Sequence, residues 1–280
     1  MISIITAIHN QLAANRIFYD KLQQYTRLPF ELIIVDNGST DGSREFFESV
    51  GAQVIKNDGN YSYPYCQNQG IRAARYDVLA FLNNDIIVPP GWDKNLLAAM
   101  DHHQLEVATG CGIECLETAD LTRQFKRRWN RIKNITGFFS QGEAALRLMH
   151  KLMYGDWEKF AQDRLATHAQ AVREGFVGNT VIIKRSALDK IGLWDERIMA
   201  ADFDLYMRCK KRCQENGDIR PMHIVFGVFI HHYIRMTLKS RPPEYKDQAR
   251  LISLKEKWGQ PAVEECHRVL TELLHTKPTA

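Results

Sequence analysis

The chain has 280 residues, 45% hydrophobic and 25% charged, which suits a folded globular protein built as one large domain or one domain with an appended segment. No run approaches the ~20 consecutive apolar residues that span a bilayer. A formal net charge of +4 is too small to point to nucleic acid as a partner.

The start, Met1-Ile2-Ser3-Ile4-Ile5, lacks a basic n-region and a small-residue cleavage site. It reads as a first strand rather than a signal peptide, which predicts a cytoplasmic protein. Cys111 and Cys115 are four apart, as are Cys209 and Cys213. That spacing fits a four-thiolate zinc site only loosely, and both pairs sit in apolar or helical patterns, so they read as reduced thiols.

Ile2 to Ile8 is a β-branched apolar run of strand length, and Leu12 to Tyr25 follows with helical spacing. Residues 30–35 form a second apolar run, closed by Asp36-Asn37-Gly38-Ser39-Thr40-Asp41-Gly42. This cluster predicts a turn leading into a helix, with Ser39 or Asp41 as its N-cap. Residues 52–56 predict a third strand, residues 65–75 a helix, and residues 78–82 a fourth strand ending at Asn83-Asn84-Asp85. Near-continuous apolar strands separated by helices predict an α/β fold, a Rossmann-type sandwich with a mostly parallel central sheet covered on both faces.

In such sheets ligands bind beyond the carboxyl ends of the strands. Asp36 and Asp85 both stand there, and either alone is a common loop-starting residue. Two acids at one edge, one beside a Gly-Ser-Thr turn, favour a ligand carrying phosphate and ribose. The first strand is followed by Ala7-Ile8-His9-Asn10-Gln11 without a glycine, and no P-loop occurs anywhere. Glycine-rich phosphate cradles are therefore excluded. A divalent metal held by a carboxylate is the remaining device for neutralising phosphate.

Several segments now resemble a known family in its order: Val35 to Gly42, Asn68-Gln69-Gly70-Ile71, Phe81-Leu82-Asn83-Asn84-Asp85 and Pro89-Pro90-Gly91-Trp92. Gly178 to Arg185, Ile191 to Glu196 and Ala201-Asp202-Phe203-Asp204-Leu205 continue it. Together they resemble the family 2 glycosyltransferases of GT-A fold, over roughly residues 2–115 and 174–240. The resemblance implies an inverting, metal-dependent transferase of the hexosyltransferase type, of the kind that builds cell-envelope polysaccharides. The donor would be a UDP-, dTDP- or GDP-linked sugar, and the acceptor a glycan or lipid-linked glycan.

By the same resemblance, Asp36 contacts the base or ribose, and Thr6, His9 and Asn10 lie under the nucleotide. Asn68 and Arg72 lie near the diphosphate side. Asn83 and Asn84 belong to the nucleotide-sugar site, and Asp85 takes the metal, Mn2+ or Mg2+. The first acid of the family's Asp-x-Asp is Asn83 here, which leaves one carboxylate and more of the coordination to the diphosphate. The acid pair before the catalytic helix appears as Ala201-Asp202, and only the second acid, the family's base, is present.

The chemistry needs a carboxylate that takes the acceptor hydroxyl's proton as that oxygen attacks opposite the leaving diphosphate. Asp202 and Asp204 are two residues apart, about 200° around a helix, so both cannot face one point. From spacing alone both are also ordinary first-turn acids favoured by the helix dipole. The resemblance selects Asp202 as base and leaves Asp204 as a supporting or acceptor-contacting residue. Downstream, residues 222–230 are strand-like and end at His231-His232-Tyr233. A histidine near that point completes the metal site in many family members. Adjacent strand residues point to opposite faces, so only one reaches the metal, and His232 fits better than His231.

Residues 116–173 interrupt the strand pattern and read as a helical insert between a nucleotide-sugar half (1–115) and a catalytic half (174–240), with a helical tail over 241–280. Within the insert, residues 121–133 place Leu121, Phe125, Trp129 and Ile132 on one helical face among six basic residues. That pattern suits a helix covering the core. It equally suits a surface for anionic lipid headgroups or a phosphorylated lipid-linked acceptor, which would make the protein peripheral at the inner membrane face. Two rival functions stay open: a degenerate nucleotide- or partner-binding module, kept alive by Asn83 and Ala201, and a nucleotidyltransferase, disfavoured by the missing glycine-rich loop.

Overall fold

The computed structural model describes residues 1–136, 142–234 and 243–279. The expected boundary between residues 240 and 241 lies outside them. The strands are β1 (Ile2–Ile8), β2 (Phe30–Asp36), β3 (Gln53–Lys56), β4 (Val78–Leu82), β5 (Ile86–Ile87), β6 (Val107–Gly112), β7 (Val172–Glu174), β8 (Thr180–Lys184) and β9 (His223–His232). They form one sheet in the order β3-β2-β1-β4-β8-β6-β9-β5, with β7 also on β9. β1, β2, β3 and β4 run parallel; β8 is antiparallel to β4 and β6; and β6 and β9 run parallel. β1, β2, β4, β6 and β9 therefore all end at the same edge, while β8 begins there.

β1 is buried along nearly its whole length because its side chains alternate between two cores. Ile2 and Ile4 join Leu32, Ile34, Ala80 and Leu82 on one face, and Ile5 joins Ile33, Leu79 and Phe81 on the other. The first face is covered by α1 (Leu12–Tyr25), α4 (Trp92–His102) and the run α5 (Ala119–Thr136), α6 (Glu143–Tyr154) and α7 (Trp157–His168). The second is covered by α3 (Tyr63–Ala73), α8 (Arg185–Ile191), α9 (Ala201–Asn216) and the tail helices α10 (Leu254–Trp258) and α11 (Gln260–Leu273). Each fully buried Ile or Leu of this sheet contributes roughly 1.5–3 kcal/mol.

Capping of α2 (Ser43–Ser49) differs from the sequence expectation. Its N-cap is Gly42, in the left-handed region and without a side-chain cap. Asp41 instead accepts from two backbone N–H groups, those of Ser43 at 3.1 Å and Leu12 at 2.9 Å, so one carboxylate serves the starts of both α2 and α1. In α5, the apolar stripe turns inward: Phe125 packs on Phe229 and Trp129 on His231 and Tyr233 of the β9 end. Lys126, Arg127 and Arg131 face outward. Among the described residues no helix is long and apolar enough to cross a membrane.

Candidate active site at the carboxyl edge of the sheet

The shared strand edge collects polar side chains. His9 follows β1, Asn37 follows β2, Asp85 follows β4, Glu114 follows β6, and His232 closes β9. A cleft of about 330 Å³ opens over this edge, lined by His9, Asn37, Asn83, Asn84, Asp85 and His232 together with Tyr61, Tyr63 and Tyr245.

Asp85 and His232 meet because β5 pairs with the end of β9, with Ile86 opposite His232. The Tyr233 N–H donates to the Asp85 carbonyl at 2.9 Å and fixes that register. His232 Nε2 lies 3.1 Å from Asp85 Oδ1, and its Nδ1 lies 2.5 Å from Glu114 Oε1. Burial works against the imidazolium, but the two carboxylates outweigh it and push the His232 pKa up to about 10. His231 points to the opposite face, into the rings of Trp129, His150 and Tyr154, with its Nδ1 2.9 Å from the Tyr154 hydroxyl. Burial there drives its pKa well below the ordinary histidine value.

Once an ion displaces the Nε2 proton, a carboxylate oxygen and an imidazole nitrogen about 3 Å apart would suit adjacent positions on one Mn2+ or Mg2+ ion. Among the described residues no group of three His, Cys, Asp or Glu is placed to hold an ion alone. The pair thus offers two protein donors, and the rest of an ion's coordination would have to come from other ligands. Glu114, on the far nitrogen, fixes the ring's orientation as outer-shell carboxylates do.

Asp202 sits in the first turn of α9. Gly178 immediately precedes the Asn179 whose carbonyl accepts from the Asn83 N–H at 3.1 Å. A β-carbon at Gly178 would overlap the Asp202 carboxylate, so only glycine lets that group reach the strand edge. Asp202 Oδ1 is buried without a hydrogen-bond partner among the described residues. Burial pushes the Asp202 pKa up to about 7. Asp204 goes elsewhere, as the 200° separation requires. It is 1% exposed, and its oxygens accept from Arg208 at 2.8 Å, Trp258 at 2.8 Å and Lys257 at 2.6 Å. It ties α9 to the tail.

The residues assigned to the nucleotide divide into two groups. His9, Asn83 and Asn84 line the cleft. His9 Nδ1 lies 2.9 Å from the Asn37 carbonyl, and Asn84 donates to Asn15 at 2.7 Å. Asn10, at φ +57, braces the loop after β2: its N–H donates to Ser39 and its Oδ1 accepts from the Thr40 N–H. The other group does not line the cleft. Asp36 is fully buried, accepting from the Ser39 N–H at 3.0 Å and Arg44 Nε at 2.6 Å. Thr6 lies inside β1. Asn68 is held by the Trp194 backbone and Glu196, and Arg72 lies 3.4 Å from Glu196.

Asn37, Glu114, Tyr61, Tyr63 and Tyr245 join the site without being among the residues that the sequence marks for it. Glu114 was within reach of the strand-end rule that singled out Asp36 and Asp85, because β6 ends two residues before it. The tyrosines come from loops and a helix start and carry no periodic signal.

The sequence model described as Glycosyl transferase family 2 matches residues 3–161, more than half of the chain. The chain belongs to glycosyl transferase family 2. A putative glycosyltransferase, EpsH, of Bacillus subtilis is 29% identical over 101 residues, 34% of this chain and 29% of that relative. A validoxylamine A glucosyltransferase of Streptomyces hygroscopicus subsp. jinggangensis is 29% identical over 106 residues, 35% of this chain and 25% of its own. Each match thus spans less than a third of the relative.

Two solved structures share the fold of this family member. The mannosyltransferase PcManGT of Pyrobaculum calidifontis, in complex with GDP-Man and Mn2+, has a TM-score of 0.52 at 12% identity, over 97% of this chain and 75% of that one. The S. aureus protein TarS, residues 1–349 with UDP, has a TM-score of 0.51 at 14% identity, over 82% of this chain and 60% of that one. The fold is that of the GT-A glycosyltransferases, a mixed α/β sandwich with a mostly parallel sheet.

Proposed function

We propose that this glycosyltransferase moves a sugar, with inversion, from a nucleoside-diphosphate sugar to a saccharide or lipid-linked saccharide acceptor, with Asp202 as the base. The observation that carries the proposal is the meeting of two unlike functions at one edge. A carboxylate whose pKa is held near neutrality stands over Gly178, and the Asp85–His232 pair stands at the end of the neighbouring β4. Inverting transfer needs a proton acceptor on one side of the anomeric carbon and a stabilised leaving group on the other.

In this reading Asp202 takes the proton from the acceptor hydroxyl while that oxygen forms its bond to the anomeric carbon. The bond from that carbon to the diphosphate oxygen breaks on the opposite face. A base near neutral pKa matches the working pH and is worth ~10²–10⁴ in rate. Asp85 and His232 would hold a divalent ion, which, when bound, supplies positive charge to the diphosphate. His9, Asn37 and the tyrosines of the cleft would receive the nucleotide. The proteins of similar fold solved with UDP or with GDP-Man and Mn2+ support this choice of donor and metal.

A thermal-shift screen of UDP, dTDP and GDP and their glucose or mannose esters, with and without Mn2+, tests the reading. A ligand stabilises the fold by RT ln(1 + [L]/Kd). One base series is expected to raise the melting temperature, more with Mn2+ than without, and Asp85→Asn is expected to remove the Mn2+ increment. A wild type stabilised by none of them would argue against the proposal.

A further inference from the structure

Beside the Asp85–His232 pair lies a set of buried polar atoms that the scheme above does not use. Asn179 is 1% exposed, and neither its Oδ1 nor its Nδ2 has a hydrogen-bond partner among the described residues. Glu114 engages His232 through Oε1, yet its Oε2 is buried and equally without a partner. The two groups converge on Gly112, the last residue of β6. A β-carbon there would lie 2.7 Å from Glu114 Oε2 and 3.2 Å from Asn179 Nδ2. One residue before Asn179, Gly178 abuts the Asp202 carboxylate, whose Oδ1 is the third partnerless oxygen.

Buried polar groups are almost always hydrogen-bonded, because withholding a partner costs free energy that burial does not return. A cluster of them in one place, unpartnered among the described residues, marks a site suited to taking a polar ligand. Its location says which partners. Glu114 touches the imidazole facing Asp85, and Asn179 is bonded through its carbonyl to Asn83, so the cluster belongs to the leaving-group side. Its other flank reaches Asp202. A donor sugar has to occupy the space between those two flanks. An amide offers a donor nitrogen and an acceptor oxygen, and a carboxylate oxygen adds a second accepting atom. This complement matches neighbouring hydroxyls of a pyranose ring.

We propose that Asn179 and Glu114 form the subsite that reads hydroxyl groups of the donor's sugar, with glycine at 112 keeping its floor open. The proposal rests on the nucleotide-sugar reading above. It adds that sugar recognition comes from the β6 exit and the β8 entry, separately from the nucleotide contacts in the cleft.

Calorimetric titration of the full chain with Mn2+ separates the two. The ligands are UDP, GDP and dTDP, each as the free diphosphate and as its glucose or mannose ester. Asn179→Ala is expected to weaken the preferred sugar ester tenfold or more while the free diphosphate changes less than twofold; Glu114→Gln, which also loosens the His232 ring, is expected to weaken both, the ester by the larger factor. Asn179→Asp, which keeps the shape and removes the donor, is expected to act in the same selective sense and serves if the alanine variant folds poorly. Equal losses for ester and diphosphate, or no loss for the ester, would overturn the subsite. A wild type that binds none of these ligands would overturn the nucleotide-sugar reading and this subsite with it.

Discussion

The Asp202 carboxylate rests on Gly178, close enough that a single methyl group at 178 would occupy its place. Gly178 is at the surface of the edge and has no positive φ, so an alanine there meets the movable end of one side chain rather than backbone. Gly178→Ala is therefore expected to fold normally and to displace Asp202. Because misplacing a catalytic group by about 1 Å costs roughly 10²-fold, kcat should fall by about that factor, with little change in the Kd for the nucleoside diphosphate. Steady-state kinetics with parallel calorimetry checks both halves.

The raised pKa of Asp202 fixes the sign of two pH effects. As a base it works only when ionised, so kcat/KM should rise tenfold per pH unit at acid pH and level off above about 7. Stability runs the other way. The folded pKa lies above the ordinary value of 3.8, so the fold prefers the protonated acid. The penalty for ionising it begins above that value and is complete above about 7. Replacing it with the neutral isostere, Asp202→Asn, should accordingly stabilise the protein at pH 8 by on the order of 1–3 kcal/mol and leave it unchanged at pH 4. Denaturant melts at the two pH values measure this.

Asp204 should behave as a structural acid. It is buried and holds Arg208, Lys257 and Trp258, so it joins α9 to α10. Asp204→Ala would strand the Arg208 and Lys257 cations and should cost on the order of 3 kcal/mol of stability. The folded fraction should retain its KM for the donor and a pH profile with the same midpoint. A shifted midpoint would place Asp204 in the chemistry after all.

The outer face of the α5–α6 pair offers a prediction about the acceptor. Arg127 and Arg131 are exposed on α5, and Arg128 donates to the Leu152 carbonyl on α6, where Leu148 and Leu152 are about half exposed. Basic and apolar side chains on one surface suit anionic headgroups. Replacing Arg127, Arg128 and Arg131 with alanine should weaken binding to vesicles containing anionic lipid, or raise the KM for a lipid-linked acceptor, while slow donor hydrolysis stays normal. Sedimentation with vesicles and donor-hydrolysis assays give the two readings.

Much of the donor half could be read from the sequence because its strands are short, apolar and closed by polar exits. β1, α1 and β4 fall where periodicity puts them, and the edge rule singled out Asp36 and Asp85. Position at the edge did not reveal orientation. Asp36 and Asn37 are neighbours, and the structure turns Asn37 to the cleft while Arg44 holds Asp36 inside. Asp202 and Asp204 part in the same way, one to Gly178 and one to the tail. The Glu114–His232 bond joins residues 118 apart in the chain. It depends on β6 and β9 lying side by side, a pairing that local pattern does not specify. The bulge between them, after Gly110, is equally invisible to alternation.

Whether Asp202 is the base of a glycosyl transfer run at this edge is decided by Asp202→Asn in a transfer assay with the donor that the binding screen selects. The variant's kcat should fall by about 10²–10⁴, with its Kd for the nucleoside diphosphate within twofold of wild type. Transfer that survives the substitution within tenfold, in a protein that binds its donor normally, would contradict that role.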